Sequence, residues 1–461
     1  MQTNTLRGKK LLLIGFTLFS MFFGAGNLIF PPYLGAQAGT RLWLAFAGFA
    51  VSAIGLPIAG VVAVARAGGL PQLAERVHPR FAQVFSILVY LSIGPCLAIP
   101  RTASTSFAML TPLVGEASWL QWAYSALFFA AAYWIALHPE RLTQRLGRVL
   151  CPALLSLILL LFAGCLFRPA AAGYGTPAAA YAALPAAQGI LDGYQTMDTL
   201  AGLNFGFVIA LNIQALGITD PREVEQGTIR AGFVAAGLFA VVYAMLTHIG
   251  GIAGAAFPGC ETGAETLTRL ADSLFGRVGQ VLLGAIFVIA CFNTCVGLIS
   301  SVGEYFHQLL PRLSYPAWAA FFALTSMLLS NIGLASILEL SVPILNAIYP
   351  TAIVLIFLSF LPGAFQHRPV YGWAIVLTAL QSIPAALPLG PVSAFASALP
   401  LGGLGFGWVV PALAGVLLGK LQSRQKSCRT TSCDSFCFSG TYWNSFFTLC
   451  CTCWVVVGLT Q

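Results

Sequence analysis

The stretch Phe22-Phe23-Gly24-Ala25-Gly26-Asn27 interrupts an apolar run that extends from Leu11 to Leu34. A run of that length suits a helix crossing a bilayer, which needs about 20 apolar residues. Two glycines and an asparagine are poor helix formers. Inside a bilayer, a break in a helix must be lined by protein or by a cavity, because the freed backbone groups find no water in lipid. Unwinding here exposes carbonyls at the end of one half-helix and amide N–H groups at the start of the next. The carbonyl end attracts a cation and the amide end a carboxylate. Small residues also serve close helix packing; Asn27 is the residue that packing does not explain.

The rest of the chain agrees with a membrane setting. Of 461 residues, 8% are charged and 58% are apolar, and the mean hydropathy is +0.86. Soluble domains carry about 25% charged residues, so a soluble globule lacks the polar surface it needs here. Disorder is excluded by the abundance of apolar residues. The fold expected is an all-α polytopic membrane protein with about twelve transmembrane helices, at approximately 11–34, 42–65, 82–110, 118–137, 149–167, 193–217, 231–256, 278–306, 315–334, 336–361, 370–388 and 402–419. The ninth and tenth spans are nearly continuous, and Gly333 is expected to mark the turn between them.

The net charge of +8 does not indicate nucleic-acid binding, because the 22 basic residues sit in short loops between apolar runs. With the N-terminus inside, the inner segments hold sixteen Lys and Arg, in 7–10, 66–80, 141–148, 222–230, at Arg312 and Arg368, and in 420–426. Against them stand Arg41, Arg168, Arg269 and Arg277 outside and Arg101 within the third span. The positive-inside rule then places both termini in the cytoplasm. Residues 1–10 read as a cytoplasmic N-terminus without a cleavable signal, since the apolar run behind them is too long and lacks a small-residue cleavage site.

The sixth span carries a second interruption, Tyr194-Gln195-Thr196-Met197-Asp198-Thr199, leading into Ala201-Gly202-Leu203-Asn204-Phe205-Gly206. A carboxylate such as Asp198 at membrane depth is costly and usually functional; a helix cap at the outer interface is the plainer alternative. Spans one and six are five helices apart. That spacing suggests inverted repeats, about 11–167 and 193–361, followed by two additional helices within 370–419. Asn27 from the first break and Thr196, Asp198 and Thr199 from the second are candidate substrate contacts. On the eighth span Ala290, Asn293 and Thr294 share a face, with Ser300, Ser301 and Glu304 following. Their oxygens suit a hard monovalent cation, although such hydroxyls also bond back to their own helix. The third span is kinked by Pro95 and Pro100 and contains Arg101, which must point inward or to an interface. In the tenth span, Glu339, Asn346 and Tyr349 add polarity.

Phe23-Gly24-Ala25-Gly26-Asn27-Leu28-Ile29-Phe30-Pro31-Pro32 resembles the first span of the bacterial branched-chain amino acid:cation symporter family, the system II carriers. Ile93-Gly94-Pro95, Ala98-Ile99-Pro100-Arg101-Thr102, Gly193 to Ala201 and Val296-Gly297-Leu298 are similar to the same family, over about Leu11 to Gly419. The resemblance implies sodium-coupled uptake of leucine, isoleucine and valine in the bacterial inner membrane, on a LeuT-type five-plus-five fold with discontinuous helices 1 and 6. It implies that the amides of Ala25 and Gly26 take the substrate carboxylate. It also implies a sodium site of Ser20, Phe23, Ala290, Asn293 and Thr294. Asn293 departs from the hydroxyl pattern of that fold and leaves sodium against proton coupling open.

No catalytic constellation, nucleophile motif or phosphate loop is present, so transport must draw on an ion gradient or run downhill. No cofactor beyond the coupling ion and no obligatory protein partner is expected. Phe22, Phe23, Phe205 and Phe292 are candidate walls for an apolar side chain. A proton-coupled carrier using Asp198, or a membrane sensor that binds an amino acid without moving it, are the competing readings. Two outer loops, 168–192 and 257–277, are candidate lids or simple connections, the second with a helical stretch over Ala264 to Leu274. The tail, 420–461, holds six of the twelve cysteines between Cys428 and Cys453 without zinc spacing. It does not resemble the family beyond Ser427, and it is expected to be aberrant or dispensable.

Overall fold

A computed structural model describes residues 6–115, 117–138, 143–332, 334–387, 393, 396 and 398–430, with the side chains of 143–144, 334–336, 338, 340–342 and 424–430 excepted. Among these residues the regular structure is entirely helical. The expected turn at Gly333 and the tail 431–461 lie outside the described residues.

The first apolar run is two helices, α1 (Gly8–Phe22) and α2 (Ala25–Ala38), separated at Phe23-Gly24. After a tight turn at Gly39, α3 (Leu42–Ala50) continues through a wide helical turn, Val51–Gly55, into α4 (Leu56–Ala67). The short α5 (Leu70–Glu75) leads to α6 (Pro79–Leu91), which starts at a proline and is capped by the His78 side chain. A break at Ser92–Cys96, where Gly94 leaves helical backbone angles, separates α6 from α7 (Ala98–Val114). Next come α8 (Ser118–Ala136) and α9 (Cys151–Phe167), then the short α10 (Ala179–Ala183).

The second interrupted pair is α11 (Pro185–Tyr194) and α12 (Asp198–Ala215), bent by 48°. The long α13 (Pro221–Ala256) begins at a proline behind Asp220, whose carboxylate accepts the Arg222 N–H at 3.0 Å. Thr262 caps α14 (Gly263–Phe275) in the same way. The remainder is α15 (Arg277–Leu309), α16 (Tyr315–Ser330), α17 (Leu334–Phe360), α18 (Arg368–Ala386) and α19 (Val409–Thr430).

Among the described residues, six helices or joined helices are long and apolar enough to cross a membrane, seven if α11 and α12 form one broken span. The outward side chains are those of a lipid-facing surface: Leu127, Phe167, Phe233 and Val278 are exposed, and Trp119, Trp122 and Trp134 stand among them. The chain is therefore a multi-pass membrane protein.

Glycine contacts bring the broken helices against unbroken ones. A Cβ on Gly250 of α13 would meet the Pro32 carbonyl of α2 at 2.1 Å, and one on Gly189 of α11 would meet the Ala45 carbonyl of α3 at 2.0 Å. Backbones this close leave no room for a side chain, so α2 is held on α13 and α11 on α3. The sixth-span reading needs one correction. The first arm begins at Pro185 rather than 193, which puts the break between two helical arms. Gly202 and Gly206, beyond the break, lie inside α12, where Gly202 packs against the Pro57 carbonyl of α4.

The segment after α9 is tied down. Its Gly175 carbonyl accepts the Thr40 N–H at 3.0 Å, and the Ala178 N–H donates to the Gln37 carbonyl at 2.8 Å, so it runs along the end of α2. The Tyr181 hydroxyl donates to buried Asp192, joining α10 to α11.

Candidate substrate and cation site

At the first break the helical ladder stops with the Phe23 N–H on the Phe19 carbonyl, 2.8 Å, and resumes with the Leu28 N–H on the Gly24 carbonyl, 3.3 Å. The carbonyls of Ser20 to Phe23 and the amides of Ala25 to Asn27 are thereby left without helical partners. The Gly24 N–H donates to Asn27 Oδ1 at 3.0 Å, which fixes the turn.

At the second break Met197 is held at φ 68°, the left-handed region, and Asp198 opens α12. A non-glycine residue in that region is strained and persists where the surroundings hold it. Met197 is buried between the two arms. The start of α12 also gives the Asp198 carboxylate a favourable helix pole.

The two breaks meet. Asn27 Nδ2 donates to Asp198 Oδ2 and to the Tyr243 hydroxyl, and that hydroxyl donates to Asp198 Oδ2 at 3.2 Å. Asn27 therefore uses its amide to join α2, α12 and α13, which accounts for an asparagine in this position. Asp198 is 3% exposed and is not an interfacial cap.

A cavity opens beside this junction, lined by Gly24 to Asn27, Thr196 to Asp198, Ile93, Ala98, Arg101, Thr102, Phe22, Phe205, Ala201, Thr294 and Leu298. It offers about 40 Å³ to the centres of water molecules, so it is narrow in this conformation. Of the anticipated aromatic walls, Phe22 and Phe205 line it and touch each other edge to face at 5.0 Å. Phe23 instead stacks on Phe19 and neighbours Phe239 and Tyr243, and Phe292 packs on Phe128.

The eighth-span face lies against the first break. A Cβ on Gly24 would fall 2.8 Å from Thr294 Oγ1, so only glycine permits this approach. Asn293 Nδ2 donates to Ser20 Oγ at 2.6 Å. Asn293 Oδ1 and Thr294 Oγ1 are buried and have no hydrogen-bond partner. A helical hydroxyl ordinarily bonds back to its own helix, as Ser300 does to the Val296 carbonyl at 2.8 Å. Thr294 does not. Two orphaned oxygens beside a helix end with freed carbonyls form a donor set suited to a hard cation. Ala290 is fully buried one turn before them.

Thr199 stands apart from the cavity lining; it neighbours the Tyr349 hydroxyl, and its carbonyl lies near Gly60 of α4. Glu339 and Asn346 are exposed and do not line the cavity. Three polar lining or bridging residues were absent from the sequence-based site. Arg101 carried a signal, being a charge inside an apolar span with two prolines. Thr102, next to it, carried only a weak one. Tyr243 carried none, since a tyrosine in an apolar helix is ordinary.

The architecture has solved counterparts. A Na+-coupled sialic acid symporter superimposes with a TM-score of 0.58 at 13% identity, covering 90% of this chain and 89% of that one. Mhp1, a nucleobase-cation-symport-1 family transporter in a closed conformation, gives 0.56 at 12% identity over 92% and 95%. MhsT in complex with L-phenylalanine gives 0.54 at 16% identity over 90% and 99%. At these identities the likeness is one of fold alone, the LeuT-like fold.

Sequence narrows the class. Residues 7–426 match the family model of the branched-chain amino acid transport protein. The branched-chain amino acid permease BraB of Bacillus subtilis is 39% identical over 429 residues, 90% of this chain and 96% of that protein. The branched-chain amino acid transport system 2 carrier protein of Pseudomonas aeruginosa is 39% identical over 430 residues, 91% and 97%. The chain belongs to the branched-chain amino acid transport protein family, a family of transporters and not of enzymes.

Proposed function

We propose that the chain is a symporter that imports leucine, isoleucine and valine across the bacterial inner membrane, coupled to sodium, by alternating access. The observation that carries the reading is the meeting of two helix breaks at Asn27 and Asp198, beside a cavity walled by Phe22 and Phe205. In this reading the Ala25 and Gly26 amides receive the carboxylate of the amino acid. Asp198 and Thr196 serve its ammonium, and the apolar wall takes its side chain. Sodium is held by the Ser20 and Phe23 carbonyls with Asn293 Oδ1 and Thr294 Oγ1, next to Ala290. The orphaned state of the two side-chain oxygens supports this assignment. Thr199 then acts through the backbone of α12 rather than by contact.

The same reading comprises twelve spans, two inverted five-helix repeats with helices 1 and 6 discontinuous, both termini in the cytoplasm, and no obligatory protein partner. The narrowness of the cavity fits a closed state that must widen to admit a substrate.

The test is uptake of radiolabelled leucine into proteoliposomes with and without an inward sodium gradient. Sodium-stimulated accumulation is expected, and isoleucine and valine compete. Accumulation that persists with choline in place of sodium, and follows a proton gradient instead, favours the second reading, in which buried Asp198 carries the proton. Saturable leucine binding with no uptake on any gradient identifies a sensor.

The family match ends at residue 426. Truncation at Ser427 should therefore leave membrane insertion intact and uptake within about twofold of the full chain, well under the tenfold that 1.4 kcal/mol represents. Loss of uptake in a well-expressed truncation would show that the tail contributes.

A further inference from the structure

Arg101 stands in the first turn of α7, 6% exposed, with its guanidinium carbon 5.7 Å from the centre of the Phe30 ring. Its side chain lines the cavity, and its Nε is buried without a hydrogen-bond partner. A guanidinium does not give up its proton in a protein, and a charge at membrane depth is retained where it has a task or a partner. The other charged residue lining the cavity is Asp198. Among the described residues no ion pair joins the two. Asp198 Oδ2 is instead engaged by Asn27 and Tyr243. An arginine and a carboxyl group thus line a single narrow space with no ion pair between them. The positive pole of α2, with the free amides of Ala25 and Gly26, lines the same space.

We infer that Arg101 is a specificity-determining residue that binds the substrate's carboxylate together with the α2 amides, making the site selective for zwitterionic α-amino acids over analogues lacking the carboxylate. The assignment rests on the reading of this cavity as the amino-acid site. The planar guanidinium fork matches a carboxylate. With Asp198 facing the ammonium, the opposed protein charges are balanced by the two ends of the ligand. An amine or alcohol analogue leaves Arg101 unpaired in a dry cavity. A site built around a polar partner discriminates strongly against a ligand that lacks it, because its own buried group is then left unsatisfied.

The experiment compares leucine with leucinol, its alcohol analogue, as competitors of radiolabelled leucine binding to the purified full-length protein. In the native protein leucinol is expected to compete at least about a hundredfold more weakly. In Arg101→Gln, leucine should weaken at least about thirtyfold while leucinol changes little, so the ratio falls below about tenfold. Arg101→Lys should recover part of the ratio, since it restores the charge without the fork. An unchanged leucine-to-leucinol ratio in Arg101→Gln overturns the assignment, because a merely structural role would weaken both ligands together.

A second measurement needs no variant. Phenylglyoxal modification of the native protein, read at Arg101 by peptide mass mapping, should be suppressed by leucine and not by leucinol. Arg101 labelling that does not respond to leucine, or that both compounds suppress equally, also overturns the assignment. If the native protein binds no leucine at all, the reading of the cavity as an amino-acid site fails, whereas binding with an unaltered ratio refutes Arg101 alone.

Discussion

Gly26→Leu is expected to abolish leucine binding while the protein still folds and inserts. Gly26 lies in the first turn of α2 and lines the cavity. A Cβ there would sit 3.2 Å from Thr196 Cα and 3.3 Å from the Thr196 carbonyl. Those neighbours are backbone atoms of the second break, followed immediately by Met197 in its left-handed conformation, so they have little freedom to retreat. The remaining leucine carbons enter a cavity of about 40 Å³ and cover the amides proposed for the carboxylate. The expected loss is at least a hundredfold in leucine affinity, about 2.8 kcal/mol. Gly26→Ala should lose much less, because a methyl group needs a shift of only a few tenths of an ångström. Binding is measured by scintillation proximity, with monodispersity on gel filtration as the check on folding. Near-native affinity in a monodisperse Gly26→Leu protein would remove the first break from the substrate site.

Thr294→Val should raise the sodium concentration for half-maximal uptake by at least about tenfold, equivalent to ~1.4 kcal/mol. The substitution keeps the branched shape and deletes one oxygen. That oxygen is buried, has no partner and faces Gly24 at the end of α1, where the freed carbonyls lie. A hydroxyl already bonded to its own helix would have contributed little to an ion, but Thr294 is not so bonded. Neutral oxygens in a fixed cage offset the loss of an ion's water without placing an unpaired carboxylate in a dry site. Leucine affinity at saturating sodium should change much less, because the effect reaches leucine through the occupied ion site. Sodium dependence equal to the native protein's would take α15 out of the cation site and transfer the coupling to Asp198.

The first break was legible because Gly24, Gly26 and Asn27 interrupt an otherwise unbroken apolar run, and helix propensity acts on the residues themselves. The second break was legible in Asp198, but its position within the span was not. The Ala- and Gly-rich segment before it has weak hydropathy contrast, so 185–192 falls in the expected loop although it packs as a helix against α3. Gly202 and Gly206 had the same composition as a break and a different cause: they allow α12 to approach α4. Residue type alone does not separate a glycine that unwinds a helix from one that lets a neighbour come close.

The sequence by itself determined the membrane class, the helical nature of the chain and the two places where a helix is interrupted. Hydropathy, propensity and charge bias are local properties, felt within a few turns of helix. Only the tertiary structure decided which polar groups meet. Asn27 and Asp198 are 171 positions apart and are brought together, with Tyr243, by the packing of α2, α12 and α13. The same packing turns Arg101 into the cavity, sets Thr294 against Gly24 and sends Phe23 and Phe292 elsewhere. The seating of α2 on α13, of α11 on α3 and of α12 on α4 depends on backbones approaching within the width of a missing side chain. Such contacts join residues far apart in the chain, and no local pattern in the sequence encodes them.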